Sequence, residues 1–547
     1  MKKIFDCFVY NGEIDLLEIR LNELNEVVDW FVIVEGTHTF SGAAKADSLL
    51  DAWSRLKPFA HKIRYVVVTD LVRFDGAWER ETHQRNSCVR ALADAESGDV
   101  VLLSDVDEIP RSSAVAEMRD TDAAAFGFEL SSRYFALNYC NVVGPEAALV
   151  RTVGFDPGLL QEHTPEQLRY AIRDGSVAAR IFPTAGWHFS YLSDEAGVRR
   201  KIQAFSHQEF NTVEFLGALD IANLIRARGD LFGREDFEWQ VVDPSDLPAY
   251  IHSQGDRFST MILSDSLQGD DTLNEVYRPA PKKRSWLQRR REARAKKPAA
   301  DREPIIVCPY VHPGDEERVR KAFGLDSAKG KRLPFYFWHD TDLVGPEAAF
   351  QRCWSQFPER DVIIIHTDMA PMPGDETNTW YERLLQHVAD LPDAGAVACD
   401  LLYPEPTSSG SQAAQCAGGR FNAEGKIFHN GGAEHAYDAR YDHVRIADWV
   451  TFGGVYIRRA AIDMVGEFDA RYEWAYVMDV DYSLEMRLRG WNLYQVPVNL
   501  EHAESQTTRP FVEQPEYQAK IARNVEYFDR KWSDLIVSNR MNLGRPS

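Results

Sequence analysis

Residues 100 to 111 read VVLLSDVDEIPR, an apolar run that changes abruptly into acidic residues and then reaches a proline. The apolar run predicts a buried strand, and Pro110 prevents its simple continuation. Side chains two residues apart at a strand end point to the same side, so Asp105 and Asp107 can converge. Open α/β folds bind ligands at this carboxyl edge of the sheet. The stretch therefore predicts a ligand site at a strand end.

Two carboxylates at such an edge can hold a hard divalent cation, which in turn bridges a diphosphate. The cation stabilises the negative charge that develops on a leaving nucleotide diphosphate. The alternative interpretation is that Asp105 and Asp107 are solvated turn residues that cap a helix. The residues alone leave both interpretations open.

Strand and helix patterns alternate around this stretch. The strand-like runs end in polar turns and read KIFDCFVY, DWFVIVEG and IRYVVVTD. Between the strands, residues 14–27 and 81–95 repeat apolar residues at the three- and four-residue spacing of helices. This alternation predicts an α/β domain, a mostly parallel sheet with helices on both faces, over residues 1–275.

A change of composition divides the chain. Residues 279–304 are dominated by Lys, Arg, Ala and Pro, which predicts a basic linker over 276–303. The strand–helix alternation then restarts and predicts a second α/β domain over 304–510. A helical tail is expected over 511–547.

The overall composition excludes several classes of protein. The chain has 547 residues, too many for one hydrophobic core, and its 44% hydrophobic and 27% charged residues are typical of soluble proteins. Its net charge of -22 argues against sequence-independent binding of nucleic acid. The seven scattered cysteines contain no CxxC pair and favour a reducing cytoplasm. The apolar runs are shorter than the roughly 20 residues of a membrane span, so we expect a cytoplasmic protein.

The linker carries a cluster of Lys and Arg over residues 282–297. It could attract anionic lipid headgroups at the inner face of the membrane, with Trp286 and Leu287 as a shallow anchor. A solvated tether is the alternative. The sequence does not indicate an oligomeric state.

A series of motifs carries a family resemblance in the first half. They read, in order, FDCFVYNGEIDLLEIRLNEL, FVIVEGTHTFSG, WERETHQRN, LLSDVDEIPR, AGWHFSYL and KIQAFSHQEFN. On these motifs the first 230 residues resemble glycosyltransferase family 17, whose animal members are β-1,4-mannosyl-glycoprotein N-acetylglucosaminyltransferases. The resemblance implies a GT-A-type fold, an inverting mechanism and a nucleotide-sugar donor, with a UDP-sugar favoured.

The resemblance also implies a metal site. Asp105 and Asp107 would form the metal–diphosphate motif with Mn²⁺ or Mg²⁺, and His188 would be a third contact to the metal or phosphate. A hydrogen-bonded histidine in an aromatic core strand is the alternative for His188.

Further roles follow from the same resemblance. Glu35 would lie near the nucleoside, and Arg85 and Asn86 would face the donor pocket. His207 and Glu209 would serve the acceptor or act as the base, so Glu209 is the candidate catalytic residue of this half.

The second half contains a different set of motifs between residues 449 and 502. Gly453 and Gly454 would let the backbone approach a ligand closely. Asp479 and Asp481 stand at the start of a helical pattern, where the expected role of Asp481 alone is an N-cap.

This segment resembles glycosyltransferase family 2, especially its rhamnosyltransferase-like members. The shared features are the GG and RR of one strand, VGEFDARY, the D-x-D at a helix start, RGW and a late histidine. By this resemblance Asp479 would be the general base and His502 a metal or diphosphate contact. Asp340 and Asp342 would belong to the turn that contacts the nucleoside.

Two departures separate this half from the family pattern. Met478 precedes Asp479 where an acidic residue is usual, and the D-x-D expected on the fourth strand reads His366-Thr-Asp368. Asp368 is therefore the carboxylate left to bind metal. Histidine can also ligate divalent metals, although hard Mg²⁺ prefers oxygen.

We therefore expect two GT-A-type domains, forming a bifunctional inverting glycosyltransferase that is metal-dependent at least in its first domain. It would move sugars from nucleotide-sugar donors to a glycan or lipid-linked acceptor in surface polysaccharide synthesis. One alternative keeps one active domain beside a degenerate carbohydrate-binding half. The other is a sugar nucleotidyltransferase, against which the N-terminal region lacks a glycine-rich basic phosphate loop.

Overall fold

The computed structural model describes residues 2–144, 146–264, 303–326, 333–375, 377–432, 435–473, 476–503, 514–541 and 543. Two compact units divide the chain into residues 1–295 and 296–547. The predicted linker, with its basic cluster and the anchor at Trp286 and Leu287, lies outside the described residues apart from Glu303. Among the described helices, none is long and apolar enough to cross a membrane.

The first unit contains strands and helices in mixed order. Its strands are β1 (Ile4–Tyr10), β2 (Trp30–Gly36), β3 (Ile63–Val68), β4 (Val100–Asp105), β5 (Glu108–Pro110), β6 (Ala125–Tyr134), β7 (Tyr139–Val143), β8 (Ala148–Phe155), β9 (Arg180–Ser190) and β10 (Glu238–Val241). Its helices are α1 (Ile14–Leu24), α2 (Trp53–Leu56), α3 (Ala77–Asn86), α4 (Ser112–Asp120), α5 (Pro165–Arg173), α6 (Glu195–Ala204), α7 (Val213–Ala218), α8 (Ile221–Arg226) and α9 (Ala249–Ser253).

The sheet of the first unit has the strand order β10-β7-β6-β8-β4-β1-β2-β3. Strands β4, β1, β2 and β3 run parallel, as predicted from the first hundred residues. The strands that follow are largely antiparallel: β8 pairs with both β4 and β6, and β7 pairs with β6 and β10. The expectation of a mostly parallel sheet is therefore corrected to a mixed sheet. Short connections such as residues 135–138 can join antiparallel strands, whereas parallel strands need a longer crossover.

The parallel strands form the core of the unit. Every residue of β1 and β3 is buried, as expected for near-continuous apolar strands that are covered on both faces. The seven free cysteines of the whole chain are buried as well, and Cys7 and Cys88 pack in this core.

Arg20 of α1 crosses this core as a fully buried cation. Its guanidinium forms an ion pair with Asp6 of β1 at 2.5 Å. It also donates to Ser104 Oγ at 2.7 Å and to the carbonyl oxygens of Asp105 and Glu108 at 3.1 and 2.8 Å. Arg20 therefore fixes the turn between β4 and β5 that presents the DVDE stretch.

The second unit has its own mixed sheet. Its strands are β11 (Ile305–Tyr310), β12 (Phe335–His339), β13 (Val362–Ile364), β14 (Met369–Pro371), β15 (Ala394–Leu402), β16 (Ala414–Cys416), β17 (Gly419–Phe421), β18 (Ile427–His429), β19 (Arg445–Ile446), β20 (Val455–Ile457) and β21 (Asn492–His502). Its helices are α10 (Pro313–Ala322), α11 (Pro346–Ser355), α12 (Thr379–Asp390), α13 (Arg459–Val465), α14 (Met478–Leu488) and α15 (Pro515–Val537).

The strand order of this sheet is β12-β11-β13-β20-β15-β21-β14. The pairs β12–β11, β11–β13 and β15–β21 are parallel, and β20 lies antiparallel between β13 and β15. The expectation of a mostly parallel sheet is thus corrected here too, because β20 enters between two parallel sets.

Helix α15 lies within the predicted helical tail and packs on α14. Trp532 Nε1 donates to Asp481 Oδ1 at 2.6 Å, and Lys531 Nζ lies 2.8 Å from the same oxygen. The expected N-cap role of Asp481 is therefore wrong, because the helix already begins at Met478 and the carboxylate holds the tail instead.

We predict that Arg20→Leu destabilises the protein by about 3–5 kcal/mol, because it leaves the Asp6 carboxylate buried without its partner. The measurement is the urea dependence of unfolding. The double variant Asp6→Leu/Arg20→Leu is expected to recover part of this loss, because it removes both charges. The exposed Arg200→Leu serves as the control, and an equal effect of Arg20→Leu and Arg200→Leu would contradict the role of the buried pair.

Candidate active sites

A cavity of about 640 Å³ opens in the first unit beside the carboxyl ends of β1 and β4. Its walls contain acidic, basic and aromatic side chains in similar numbers. The acidic ones are Glu13, Glu81, Asp105, Asp107, Glu108, Glu146 and Glu209. The basic ones are Arg151, Arg169, Arg173, His188, Lys201, His207 and Arg234. The aromatic ones are Phe40, Trp78, Tyr134, Tyr170, Tyr191, Phe205, Phe210 and Phe232. The sheet edge that the sequence predicts as a ligand site thus borders a cavity.

Asp105 lies between two arginines. Its Oδ1 is 2.8 Å from Arg85 Nη2, and its Oδ2 is 3.5 Å from Arg169 Nη2. Burial raises the pKa of this carboxyl, but the two guanidinium groups outweigh burial and hold the pKa well below its usual range. Asp105 is therefore ionised, and about a third of its side chain is exposed.

Asp107 is paired with a lysine. Lys201 Nζ of α6 lies 2.7 Å from Asp107 Oδ2 and 3.6 Å from Glu13 Oε1. Burial lowers the pKa of Lys201, but the two carboxylates outweigh it and raise that pKa above its usual value. The ammonium group therefore stays charged beside Asp107.

His188 lies 3.9 Å from Asp107, measured from Nε2 to Oδ1. Burial, and after it the charge of Arg151, lowers the pKa of His188, so the imidazole is neutral at pH 7. Its Nδ1 has no hydrogen-bond partner in the part of the chain that the structure describes. The predicted contact of His188 with a metal or phosphate stays a prediction, as does the alternative of a hydrogen-bonded histidine in an aromatic core strand.

The predicted metal ligands of the first unit do not converge as a set of three. Within the described ranges, the three-residue group whose ligand atoms lie within 4.8 Å of one another belongs to the second unit. Protein cations instead occupy Asp105 and Asp107. A metal ion at this pair stays a prediction, and it would have to displace Lys201.

Three other predicted residues lie away from the cavity walls. Glu35 is buried, and its carboxylate accepts from Lys45 Nζ and Tyr65 Oη, both at 2.5 Å. Arg85 is buried and supports Asp105 from α3. Asn86 Oδ1 accepts from the backbone N–H of Glu166 at 2.9 Å, which attaches α5 to α3. None of the three lines the cavity.

His207 and Glu209 do line the cavity. His207 Nδ1 and Glu209 Oε1 are 2.7 Å apart, and each side chain is about half exposed. The hydrogen bond from His207 lowers the pKa of Glu209. Glu209 is therefore an ionised carboxylate that faces the cavity.

Sequence reasoning missed the lysine and the arginines of this cavity. Lys201 begins the quoted motif KIQAFSHQEFN, so the motif itself could have pointed to it. Arg169 and Arg173 belong to the amphipathic helix α5, where no local motif separates them from surface arginines. Their role becomes visible when α5 is packed beside the end of β4.

The second unit assembles a possible metal site from His366, Asp368 and His502. His366 and Asp368 follow β13, and β14 pairs antiparallel with β21 so that Met369 lies opposite His502. This register brings His502 Nε2 to 3.2 Å from Asp368 Oδ1. The predicted contacts Asp368 and His502 are thus brought together, and His366 completes the group.

The chemistry of these three residues fits a divalent metal. His502 Nδ1 lies 2.7 Å from Gln415 Oε1, which orients the imidazole and leaves Nε2 to face the group. Burial, and after it the charge of His502, lowers the pKa of His366 to about 4, so that its ring is neutral at pH 7. His366 Nε2 has no hydrogen-bond partner among the described residues. Two imidazoles and one carboxylate suit Mn²⁺ or a later transition metal better than Mg²⁺.

The two predicted glycines lie against this group. An added Cβ on Gly453 would come 3.2 Å from His366 Cε1, and one on Gly454 would come 3.1 Å from Met369 Cε. Gly454 also has a φ of +66°, which disfavours any other residue. The glycines therefore allow the backbone that leads into β20 to pass close to His366 and Met369.

Asp479 occupies the first turn of α14 and is half-buried. Burial raises its pKa to about 6, although backbone N–H groups, including that of Val480 at 2.9 Å, oppose the rise. Tyr476 and Val477 precede it with φ values of 77° and 63°, a strained conformation that is typical of functional sites. The raised pKa favours the predicted general-base role of Asp479, which stays a prediction.

The two predicted nucleoside-contacting residues differ in their surroundings. Asp340 is buried, and both its carboxylate oxygens accept from the backbone N–H of Val344 at 3.2 and 3.0 Å, which closes a turn. Asp342 is exposed and lies 3.5 Å from Arg352 Nη1. Their predicted contact with a nucleoside stays a prediction.

A protein-family model matches most of the first unit. Residues 1–242 match the model of glycosyltransferase family 17. The predicted resemblance of the first half is therefore confirmed, and it supports a glycosyltransferase. The resemblance of the second half to family 2 stays a prediction.

The relatives include the human β-1,4-mannosyl-glycoprotein 4-β-N-acetylglucosaminyltransferase, 25% identical over 295 residues, which are 48% of this chain and 55% of the relative. The rat protein of the same name is 24% identical over 48% of this chain and 54% of the rat protein. The chain thus spans about half the length of these curated relatives. The uncharacterized protein y4gI of Sinorhizobium fredii is 27% identical over 31% of this chain and 18% of its own.

Similarity to solved structures is weak. The crystal structure of GalNAc-T7 with UDP, GalNAc and Mn²⁺ aligns with a TM-score of 0.26 and 11% identity, over 38% of this chain and 44% of that one. A197 from STIV aligns with a TM-score of 0.22 and 9% identity, over 36% of this chain and 82% of that one. These scores are too low to support an argument about the fold.

We predict that the full chain binds Mn²⁺ through His366, Asp368 and His502. His502→Ala is expected to weaken this binding by at least about 10-fold, since even outer-shell partners of a metal ligand typically contribute that much. Calorimetric titration of Mn²⁺ measures it. His387→Ala on α12 is the matched control, and equal Mn²⁺ affinity in both variants would remove His502 from the site.

Proposed function

We propose that the protein is a bifunctional glycosyltransferase whose two units each bind a nucleotide-sugar donor. The observation that carries this proposal is the cavity at the carboxyl ends of β1 and β4. It lies in the part of the chain that matches family 17, and all three DVDE carboxylates and several cations line it. The activity for which the relatives are named, transfer of N-acetylglucosamine to mannosyl-glycoprotein, makes a UDP-sugar the first donor to test.

In the first unit, the cations beside Asp105 and Asp107 would bind the diphosphate of the donor. Arg169 and Lys201 carry fixed positive charge at the strand end, where negative charge develops on the leaving nucleoside diphosphate. Charges that are already in position stabilise a transition state without rearrangement. Glu209 would accept the proton of the acceptor hydroxyl. The oxygen of that hydroxyl attacks the anomeric carbon on the side opposite the leaving nucleoside diphosphate.

In the second unit, His366, Asp368 and His502 would hold a divalent cation, which supplies positive charge for the diphosphate. Asp479 would take the proton from the acceptor hydroxyl. Its pKa of about 6 keeps it deprotonated at pH 7 while retaining more basicity than an ordinary aspartate. This arrangement favours an active second unit over a degenerate carbohydrate-binding half.

The proposal extends to the setting of the reaction. The acceptor would be a glycan or a lipid-linked glycan of a surface polysaccharide. The basic cluster over residues 282–297 would bring the cytoplasmic enzyme to an anionic membrane. Binding to phosphatidylglycerol vesicles that disappears at high salt would support this location, and no binding at low salt would contradict it.

We predict that Asp105→Asn/Asp107→Asn lowers the turnover of the first unit by about 10²–10³-fold, because the cations then lose the carboxylates that position them. The host is the full chain carrying Asp479→Asn, which silences the second unit. Release of nucleoside diphosphate from a panel of nucleotide sugars measures turnover, with Mn²⁺, with Mg²⁺ and with chelator.

Asp122→Asn, at an exposed position, is the control for that pair. Turnover that persists in the double variant would contradict the assignment of the site. Release of pyrophosphate in place of nucleoside diphosphate would indicate a sugar nucleotidyltransferase. Loss of turnover on chelation would show that the first unit requires a metal.

We predict that Asp479→Asn lowers the turnover of the second unit by about 10²–10⁴-fold while donor affinity is retained. A base acts when deprotonated, so the rate should fall as the pH drops through about 6, the pKa of Asp479. The host here carries Asp105→Asn/Asp107→Asn, and the exposed Asp442→Asn is the control. A rate that does not change between pH 5 and pH 8 would contradict the role of Asp479.

A further inference from the structure

One wall of the first cavity is built from aromatic rings, which the donor chemistry does not use. We call Trp78, Phe205, His207, Phe210 and Phe232 the aromatic wall, and all five line the cavity. Their rings contact one another in sequence. The centroid distance is 4.6 Å from Trp78 to His207, 6.3 Å from His207 to Phe210 and 4.5 Å from Phe210 to Phe232.

Trp78 is the exposed hydrophobic member of this wall, whose three phenylalanines are only partly exposed. It stands in the first turn of α3 with 46% of its surface exposed. Binding sites for small molecules are typically lined by aromatic side chains with a few polar groups beside them. An indole that remains exposed inside a cavity gains by contact with an apolar ligand surface.

The charges around the cavity indicate which part of a substrate fits the wall. Arg169 and Lys201 are placed at Asp105 and Asp107, so the anionic diphosphate belongs there. Beside the aromatic wall, the ionised Glu209 contacts His207. Its carboxylate repels phosphate and accepts hydrogen bonds from hydroxyl groups. A pyranose ring combines an apolar C–H face with a rim of hydroxyl groups, and it is neutral. This chemistry matches an aromatic ring beside a carboxylate.

A hydrogen-bonded network couples the wall to the donor end. Glu81, one turn after Trp78 on α3, pairs with Arg85 at 2.7 Å, and Arg85 pairs with Asp105 at 2.8 Å. Glu81 also accepts a hydrogen bond from Ser206, the residue before His207. Because one helix carries both Trp78 and the support of Asp105, the two binding regions keep a fixed separation.

We propose that Trp78 is the stacking platform for a neutral pyranose of the acceptor in the first unit. The platform positions that sugar so that its hydroxyl group reaches Glu209. The inference rests on the proposed function, and it names the acceptor subsite of the same cavity.

The experiment uses as the parent the full chain carrying Asp479→Asn and His502→Ala, because Asp479→Asn alone leaves the donor affinity of the second unit in place. Trp78→Ala removes the platform, Trp78→Phe keeps an aromatic ring, and Val72→Ala changes a residue that is 60% exposed and lies outside the cavity. UDP, GDP and thymidine diphosphate are titrated by calorimetry. Methyl β-mannopyranoside, methyl β-glucopyranoside and methyl N-acetyl-β-glucosaminide are then titrated, with the bound nucleotide present, by saturation-transfer NMR.

We expect the parent to bind at least one nucleotide and one methyl glycoside. Trp78→Ala should weaken glycoside binding by about 10-fold, the effect of losing one well-placed aromatic contact, while nucleotide affinity stays within about 2-fold. Trp78→Phe and Val72→Ala should retain glycoside binding. A KM for the acceptor that rises with little change in kcat would agree with this result.

Two results would overturn the inference while leaving the proposed function intact. One is a fall in nucleotide affinity in Trp78→Ala without a change in glycoside binding, which would assign the ring to the nucleobase. The other is nucleotide binding by the parent without binding of any glycoside. Failure of the parent to bind any nucleotide would overturn the proposed function, and the inference with it.

Discussion

The buried guanidinium of Arg20 is the interaction on which the first unit depends. It joins α1 to β1 through Asp6 and holds the backbone between β4 and β5 through two carbonyl oxygens. A cation without water must satisfy its donors inside the protein, so this turn has little freedom to move. Asp105 and Asp107 project from that turn. Their position therefore follows from a buried charge pair that does not itself line the cavity.

A second constraint acts in the other unit, where the register of two strands positions the candidate metal ligands. The pairing of β14 with β21 sets His502 opposite Met369, and so brings it beside Asp368. A shift of one residue would turn His502 to the other face of the sheet. Asp481 adds a tether, because it binds Trp532 and Lys531 of α15 and so attaches the tail to the helix that carries Asp479.

The sequence predicts the local elements of this protein better than their long-range pairing. The run that ends in Asp105 was predictable as a strand leading into a ligand edge, because the change from apolar to acidic residues is contained within twelve positions. The contact between Lys201 and Asp107 spans 94 residues and depends on how α6 packs, which no local pattern encodes. The antiparallel half of the first sheet was missed for a similar reason: β6, β7 and β8 have strand-like patterns, but direction is set by pairing. In the second unit, His366 looked like the loss of a metal ligand, and it lies within the candidate metal site formed with Asp368 and His502.

The buried cysteines have a practical consequence for studying the two units. Burial raises the pKa of thiols such as Cys140, Cys308 and Cys399, and it hides them from reagents in solution. A cysteine introduced at an exposed position in each unit would therefore react ahead of the seven native ones. Two nitroxide or fluorescent labels attached in this way would report the separation of the units, and its change on addition of a nucleotide sugar, without first removing a single native thiol.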